Sequence, residues 1–246
     1  MNTGSPATLY ENRGGTVTSL GDINSPNSLR VAGGFAIWNS GVALFRRDLA
    51  SGTTTIVAGD AGNGDNDVAA NGDVVYWMSG NYDIVRVRDG VSSSITEDGS
   101  TIWDVFPVTD GDIIAWQQVQ QGANPGGTAG FVDGSTIQLG SGPGQRPLVS
   151  NGWIAFTRPA PGGIQQVFVR SPAGDVRQVS LFSGGAHLEA LSCDGAVIFT
   201  TSVEQRSRYL VPPGGDAIKV GSWLGRGLFV GSDAYVVIAG TLFRVR

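Results

Sequence analysis

The residues that could do chemistry are few, and the first pair to consider is a histidine with a cysteine. His187 and Cys193 are the single histidine and the single cysteine among 246 residues, and a thiol beside an imidazole is a nucleophilic arrangement. They fall at opposite ends of one predicted strand, so six residues of about 3.3 Å each separate them by about 20 Å. One histidine also excludes a histidine-rich metal site, and one cysteine excludes an internal disulfide. No G-x-S-x-G, P-loop or H-E-x-x-H pattern occurs in the chain.

The acidic stretch at residues 60–67 offers oxygen ligands at alternate positions, in Asn63, Asp65 and Asp67. Alternating oxygen donors suit Ca²⁺, but a calcium loop also needs a glycine at its sixth position and an acidic residue at its twelfth. Valine stands at both places, Val68 and Val74. The pattern therefore favours a solvated turn over a calcium site, and we expect no cofactor.

These residues are set in an internal repeat. The clearest copies read V-A-G-G-F-A-I-W from Val31, A-N-G-D-V-V-Y-W from Ala70 and T-D-G-D-I-I-A-W from Thr109. A period of about 40 residues made only of strands is that of a propeller blade. The turn residues of the six copies, spaced by 38 to 43 residues, are Gly33, Gly72, Gly111, Gly152, Gly195 and Asp233.

Each copy except the last contains four strand-like pieces, which predicts four-stranded antiparallel blades. In the second copy the pieces are residues 67–70, 74–77, 83–88 and 93–96, and Asp89-Gly90 predicts a two-residue hairpin turn. We therefore predict an all-β chain, a single six-bladed β-propeller domain over residues 1–246. Trp38, Trp77 and Trp116 share one position in the repeat, which favours packing between blades over a ligand role.

The two ends of the chain predict how the ring closes. The sixth copy stops after its third piece, at residues 241–246, and residues 16–20 could supply the missing strand. We expect these two segments to pair, because closure removes both free edges. Residues 8–12 resemble a further third strand that this scheme leaves without a place.

The blades resemble those of the TolB-like β-propellers. The resemblance rests on G-D-V-V-Y-W from Gly72, Y-D-I-V-R-V-R-D-G from Tyr82 and R-P-L-V-S-N-G from Arg146, and covers nearly the whole chain. It implies a fold but not one function, because the family includes periplasmic protein-binding propellers, cell-surface repeats and carbohydrate-active enzymes.

By analogy with propellers, ligands bind on the face that carries the connections between blades. The sequence places aromatic side chains there, which suit a glycan or peptide surface. Trp103 and Trp223 could equally pack between blades. Residues 117–127 form the one long predicted loop of that face. The predicted ligand-binding residues are Tyr82, Trp103, Gln118, Arg158, His187 and Trp223. Arginines recur near the opposite face, where local ion pairing explains them better than anion binding: Arg47, Arg88, Arg170 and Arg246.

Composition limits the partners and the compartment. The net charge of −5 argues against nucleic acid, and no apolar run is long enough to insert into a membrane. Low charge with abundant Gly, Ser, Thr and Asn suggests a bacterial extracellular or periplasmic protein, although residues 1–30 lack a signal peptide. We expect a monomeric domain of a longer secreted protein.

Three functions remain open. The favoured one is a non-catalytic module that binds a glycan or a protein. The second is a carbohydrate-active enzyme, a lyase or hydrolase at the channel mouth, whose acid and base would come from His187, Tyr82, Asp65, Asp104 and Glu189. The third is a structural spacer.

Overall fold

The computed structural model describes residues 7–24, 28–97, 102–120, 126–201, 207–222, 225–238 and 241–245, and these contain strands and no α-helix. The chain divides into two compact units, Met1–Pro107 and Val108–Arg246. The strands of the first unit are β1 (Ala7–Arg13), β2 (Thr16–Ile23), β3 (Arg30–Ala32), β4 (Phe35–Ser40), β5 (Ala43–Asp48), β6 (Thr54–Ala58), β7 (Ala61–Val68), β8 (Val74–Met78), β9 (Ile84–Arg88) and β10 (Val91–Ser94).

Strand β11 (Ile102–Thr109) crosses the boundary between the units. The strands of the second unit are β12 (Ile114–Gln120), β13 (Gly127–Val132), β14 (Ser135–Ser141), β15 (Leu148–Ser150), β16 (Trp153–Pro159), β17 (Gln165–Arg170), β18 (Val176–Gln178), β19 (Ala186–Leu191), β20 (Val197–Thr201), β21 (Ser207–Val211), β22 (Ile218–Ser222), β23 (Arg226–Val230), β24 (Asp233–Ile238) and β25 (Thr241–Arg244).

The strands form antiparallel sheets in chain order, as the repeat predicted. The first sheet is β3–β6, the second β7–β10, the third β11–β14, the fourth β15–β18 and the fifth β19–β22, each of four strands. The sixth sheet, β23–β25, has three strands among the described residues. The Asp89-Gly90 turn is confirmed, since both residues have positive φ (52° and 78°) and Arg88 pairs with Val91, as in a type I′ hairpin.

The core lies between consecutive sheets. In the first unit Ile37 and Leu44 of the first sheet pack with Val74 and Tyr76 of the second. In the second unit one buried cluster joins the third and fourth sheets and another joins the fourth and fifth. In the fourth sheet the second strand, β16, packs on the third sheet through Ile154 and Phe156 and on the fifth through Ala155, and burial of both faces explains its unbroken apolar sequence.

The three repeated tryptophans do not share one environment. Trp38 and Trp116 are 1% and 0% exposed, which confirms the predicted packing. Trp77 is less completely buried than these two and remains partly exposed. The cause is local: β7 bulges between Ala61 and Asn66, and the bulge places Gly62 rather than a bulky side chain against the Trp77 ring.

The N-terminal strands differ from the prediction. Residues 16–20 pair with β1 in an antiparallel hairpin, and β1 is the surplus segment that the sequence left without a place. Among the described residues β25 pairs with β24 only. A hairpin forms because β1 and β2 are adjacent in sequence and joined by Gly14-Gly15, both with positive φ (57° and 88°). The structure therefore does not show, among the described residues, the predicted pairing of residues 16–20 with residues 241–246.

The hairpin is fastened to the first sheet at both of its ends. Glu11 forms an ion pair of 2.6 Å with Arg47, and this guanidinium, as the main cause, lowers the pKa of the Glu11 carboxyl. At the other end Asn24 donates to the Gly41 carbonyl and accepts from the Gly41 N–H, both at 2.7 Å.

The sixth repeat also has a shifted turn. Its turn is at Gly231, which has a φ of 61°, and Asp233 begins β24. The choice of Asp233 as the turn residue was wrong because G-S-D offers two turn-forming residues in succession, and glycine adopts positive φ at the lower cost.

Candidate functional site

The predicted ligand-binding residues are divided between the two units. Tyr82 and Trp103 lie in the first unit, whereas Gln118, Arg158 and His187 lie in the second. Trp223 is outside the described residues, as are residues 121–125 of the predicted long loop. Gln118 belongs to strand β12 and pairs with Gly127, so this part of the predicted loop is strand.

Three aromatic rings are stacked in the first unit. The Tyr82 ring lies between those of Trp77 and Trp103, with centroid distances of 4.9 Å and 4.4 Å and interplanar angles of 7° and 19°. Each of the three side chains is partly exposed. The Trp103 ring has no second ring partner among the described residues, so its face turned away from Tyr82 ends the stack. We call Trp77, Tyr82 and Trp103 the aromatic stack.

The backbone holds Tyr82 in place at a conformational cost. Its φ is 63°, in the left-handed region that a bulky side chain seldom adopts. Its N–H donates to the Met78 carbonyl at 3.0 Å, and its carbonyl accepts from the N–H of Asp104 at 3.1 Å. Such strain persists where the surroundings fix the residue, and residues of this kind cluster at binding sites.

Trp77 is held on its other side by the bulged strand β7. A Cβ on Gly62 would lie 2.1 Å from the indole ring, so only glycine allows this approach. The indole Nε1–H donates to the Asp65 carboxylate at 3.2 Å. Sequence reasoning assigned Trp77 to packing. The sequence feature that could have indicated its place in the aromatic stack is Gly62. This glycine lies in the acidic stretch that one predicted strand separates from Trp77.

Gly62 and Asp65, which contact Trp77, belong to the stretch at residues 60–67 that the sequence predicted to be a solvated turn. Most of this stretch is strand β7, so the expectation of a solvated turn was wrong. Within the part of the chain that the structure describes, no three carboxylate, histidine or cysteine side chains lie together as metal ligands would.

In the second unit His187 belongs to a chain of polar contacts. The His187 imidazole Nδ1 bonds to the Gln145 side-chain amide, whose oxygen accepts from the Leu188 N–H at 2.8 Å. The Gln145 N–H donates to Thr157 Oγ1 at 2.7 Å, and Gln117 donates to the Gly144 carbonyl at 2.6 Å. These side chains fix the connection that leads from the third sheet into the fourth. We call Gln117, Gln145, Thr157 and His187 the polar clamp.

Arg158 is also engaged in packing. Its guanidinium lies 4.1 Å from the Phe168 ring centroid, and its Nη1 donates to the Leu139 carbonyl at 3.1 Å. A Cβ on Gly140 would lie 2.8 Å from the Arg158 side chain, so the connection passes closely over it. Arg158 thus joins two sheets of the second unit.

A buried ion pair fastens the fifth sheet to the sixth. Arg208 is fully buried, and its Nε and Nη2 donate to the Glu189 carboxylate at 2.7 Å and 3.0 Å. Further Arg208 donors reach the carbonyls of Ser222 and Gly225, and the Gly227 N–H donates to Glu189 at 3.1 Å. Glu189 lies at a β-bulge in β19. This paired carboxylate has a structural role.

Two of the recurrent arginines form ion pairs, with carboxylates distant in sequence and not with the neighbouring ones. Arg47 pairs with Glu11, and Arg88 pairs with Asp73 at 2.5 Å. The Asp48 carboxylate accepts the N–H groups of Ser51 and Ala50, and these bonds lower its pKa. Arg170 donates to the Ser171 carbonyl, and Arg246 lies outside the described residues.

An apolar groove of about 530 Å³ lies between the outer strands of the fifth sheet and the sixth sheet. Leu210, Ile218, Val236 and Phe243 contribute to its lining, and none of the predicted ligand-binding residues does. In the described part of the chain no helix is long and apolar enough to span a membrane.

Comparisons with known proteins agree with this architecture. No protein-family model matches the chain, and no curated protein matches its sequence. Solved structures do match. TolB from Acinetobacter baumannii aligns with a TM-score of 0.53 at 18% identity, over 89% of this chain and 61% of that protein. A putative TolB from Agrobacterium tumefaciens aligns with a TM-score of 0.53 at 16% identity, over 83% of each chain.

Dipeptidyl peptidase 4 from Porphyromonas gingivalis has a TM-score of 0.64 at 12% identity, over 97% of this chain and 47% of the peptidase. Identities this low establish the fold alone. The antiparallel four-stranded sheets and these likenesses lead to one conclusion: the chain has the fold of the TolB-like β-propellers.

Proposed function

We propose that the chain is a non-catalytic binding module for a glycan or a protein, and that its ligand contacts the aromatic stack. The observation that carries the proposal is the placement of Tyr82 between two tryptophans on a strained backbone. Partly exposed aromatic side chains held in fixed positions bind well because little conformational entropy is lost when a ligand arrives.

The contacts of the acid–base candidates support a non-catalytic role. Asp65 accepts the Trp77 indole N–H, Glu189 is paired with Arg208, and the His187 Nδ1 bonds to Gln145. Asp104 is fully buried, whereas Tyr82 is partly exposed and His187 is exposed. General acid–base catalysis needs a group within hydrogen-bond reach of the substrate, and the buried Asp104 and the paired Glu189 lack that access.

We propose further that the six sheets are the six blades of one ring, closed at the N-terminal hairpin, in a monomeric extracellular or periplasmic protein. The 40-residue period, the composition and the likeness to TolB support this. A solution scattering profile of two separated bodies would contradict the single ring.

The experiment combines glycan and peptide arrays with a matched pair of variants. Trp103→Ala should weaken binding of any ligand found by at least about 2 kcal/mol, as the loss of a central aromatic contact does. Gln145→Ala, in the polar clamp, should leave binding unchanged. Chromatography for unsaturated or reducing ends on the bound glycan tests for catalysis.

A ligand that binds Trp103→Ala normally but loses affinity for Arg88→Ala would place the site on the opposite face. New glycan ends would establish the lyase or hydrolase alternative, and a lack of any ligand would support the spacer.

A further inference from the structure

The polar clamp contains the single histidine of the chain, and its geometry fixes which ring nitrogen carries the proton. The backbone N–H of Leu188 can only donate, so the Gln145 side-chain atom that lies 2.8 Å from it is the amide oxygen. The amide nitrogen of Gln145 therefore faces His187, and because this nitrogen is a donor, the His187 Nδ1 accepts. His187 is thus held as a neutral imidazole with its proton on Nε2.

A protonated imidazole cannot make this contact with Gln145. Both ring nitrogens of an imidazolium are donors, so the Nδ1–H of His187 would face an amide N–H. A turn of the amide by half a revolution would satisfy His187 but would bring two donors together at Leu188. Whether the ring or the amide moves, one of the two hydrogen bonds of the Gln145 side chain is lost.

The strands around His187 offer no counter-charge to an imidazolium. Strand β19 packs against β15, β16, β17, β20 and β23, and the charged side chains of these strands are all basic: Arg158, Arg170 and Arg226. On β19 itself Glu189 is paired with the buried Arg208, and Arg146 follows Gln145 in the connection. Among the described residues His187 forms no ion pair, so a bound carboxylate does not balance a proton added to its ring.

The contact of His187 with Gln145 ties two parts of the second unit together. Through its side chain Gln145 binds β19 of the fifth sheet, and through its N–H it binds Thr157 of the fourth sheet at 2.7 Å. Gln117 of the third sheet holds the same connection at the Gly144 carbonyl. A change at His187 therefore acts on the connection that leads from the third sheet into the fourth.

The next connection, from the fourth sheet into the fifth, is held by a glutamine without a titratable partner. The Gln166 side-chain oxygen accepts from Ser180 Oγ at 2.8 Å and from the Phe182 N–H at 3.2 Å. Its amide nitrogen donates to the Phe182 carbonyl at 2.7 Å. Gln166 is therefore an internal control for Gln145.

We infer that the polar clamp is a pH-sensitive switch, which is closed while His187 is neutral and opens when its imidazole is protonated. Imidazole side chains ordinarily change charge between about pH 5 and about pH 8. The closed clamp is therefore present at neutral pH and is lost in mild acid, where residues 142–147 lose their tie to β19. The switch lies within the second unit and does not depend on the ligand proposed above.

Hydrogen exchange of backbone amides in the full chain tests the switch. Exchange is measured at about pH 8 and about pH 5, the limits of the ordinary imidazole range, and corrected for the intrinsic exchange rate. The Gln145 and Leu188 amides should lose protection about tenfold in acid, as the loss of one hydrogen bond implies. The Phe182 amide, which Gln166 holds, should change less than about twofold.

Two variants separate the titration of His187 from a general loosening in acid. His187→Asn supplies a side-chain oxygen that accepts from Gln145 and does not titrate, so protection should be equal at both pH values. His187→Phe removes the acceptor, and protection should be low at both. A thermal melt establishes that each variant is folded.

The nitrogen resonances of the single histidine give a second readout, and the proton should lie on Nε2 at neutral pH. A proton on Nδ1 would overturn the switch. So would equal protection of the parent protein at both pH values, an equal loss at Phe182, or the same acid-dependent loss in His187→Asn. Because no ligand is added, these outcomes leave the proposed binding function untouched.

Discussion

The aromatic stack and the polar clamp contain residues of the same predicted surface, yet their contacts differ. In the stack, ring faces contact one another and the series ends at a partly exposed Trp103. In the clamp, Gln145 and Gln117 bond to main-chain groups of their own unit, and His187 bonds to Gln145. The clamp completes the hydrogen bonding of a connection, whereas the stack ends at a partly exposed ring.

This difference shows why residue type and loop position do not identify a site. A polar side chain near a loop most often satisfies a backbone group that would otherwise lack a hydrogen bond. The function of such a side chain depends on its partner, and partners come from other strands.

The largest expected effect is on the free energy of unfolding, and it concerns Trp77 and Trp116, which occupy the same position in the repeat. Trp116→Ala should lower the free energy of unfolding by about 3–5 kcal/mol, because it empties a fully buried site. Trp77→Ala should cost less, about 1–3 kcal/mol, since its side chain is partly exposed. Denaturant unfolding of both variants measures the two values. Equal losses would mean that Trp77 is a core residue and not part of a surface stack.

A smaller effect tests the structural role assigned to polar groups in the second unit. Glu189→Gln should lower the free energy of unfolding by about 3 kcal/mol, because it leaves the buried Arg208 guanidinium without its counter-charge. Asp233→Asn is the control, since its pair with Arg244 is exposed and should contribute about 0.5 kcal/mol. Ligand affinity should not change in either variant. Weaker binding by folded Glu189→Gln would return this residue to the functional site.

The smallest effect is spectroscopic and concerns Tyr76, which lies in β8 one residue before Trp77. Burial, and secondarily the Asp60 carboxylate, raises the pKa of the Tyr76 phenol to about 12. The folded state thus favours the neutral phenol. Its stabilising contribution is present below the unfolded pKa of about 10 and is lost as pH rises toward 12.

The phenolate absorbance of the parent minus that of Tyr76→Phe should therefore titrate near pH 12. A midpoint near pH 10 would show that this phenol is not enclosed by the second sheet.

The sequence by itself determined the repeated unit of this protein. Glycine turns such as Gly72, the Asp89-Gly90 hairpin and the apolar second strands are local signals, because each depends on φ preferences or on the two buried faces of one strand. They predicted the four-stranded antiparallel sheets and the buried sites of Trp38 and Trp116. The resemblance to TolB-like blades also rests on short segments of the repeat, and it predicted the fold.

Only the tertiary structure decided which of these residues meet. The bulge in β7 brings Gly62 and Asp65 onto Trp77, and the strained Tyr82 places its ring between two tryptophans. Glu189 and Arg208 are 19 residues apart and become partners through a second bulge. A bulge changes which side chains face each other without leaving a clear mark in composition or period. The repeat therefore predicted the sheets, while contacts between strands determined the candidate site.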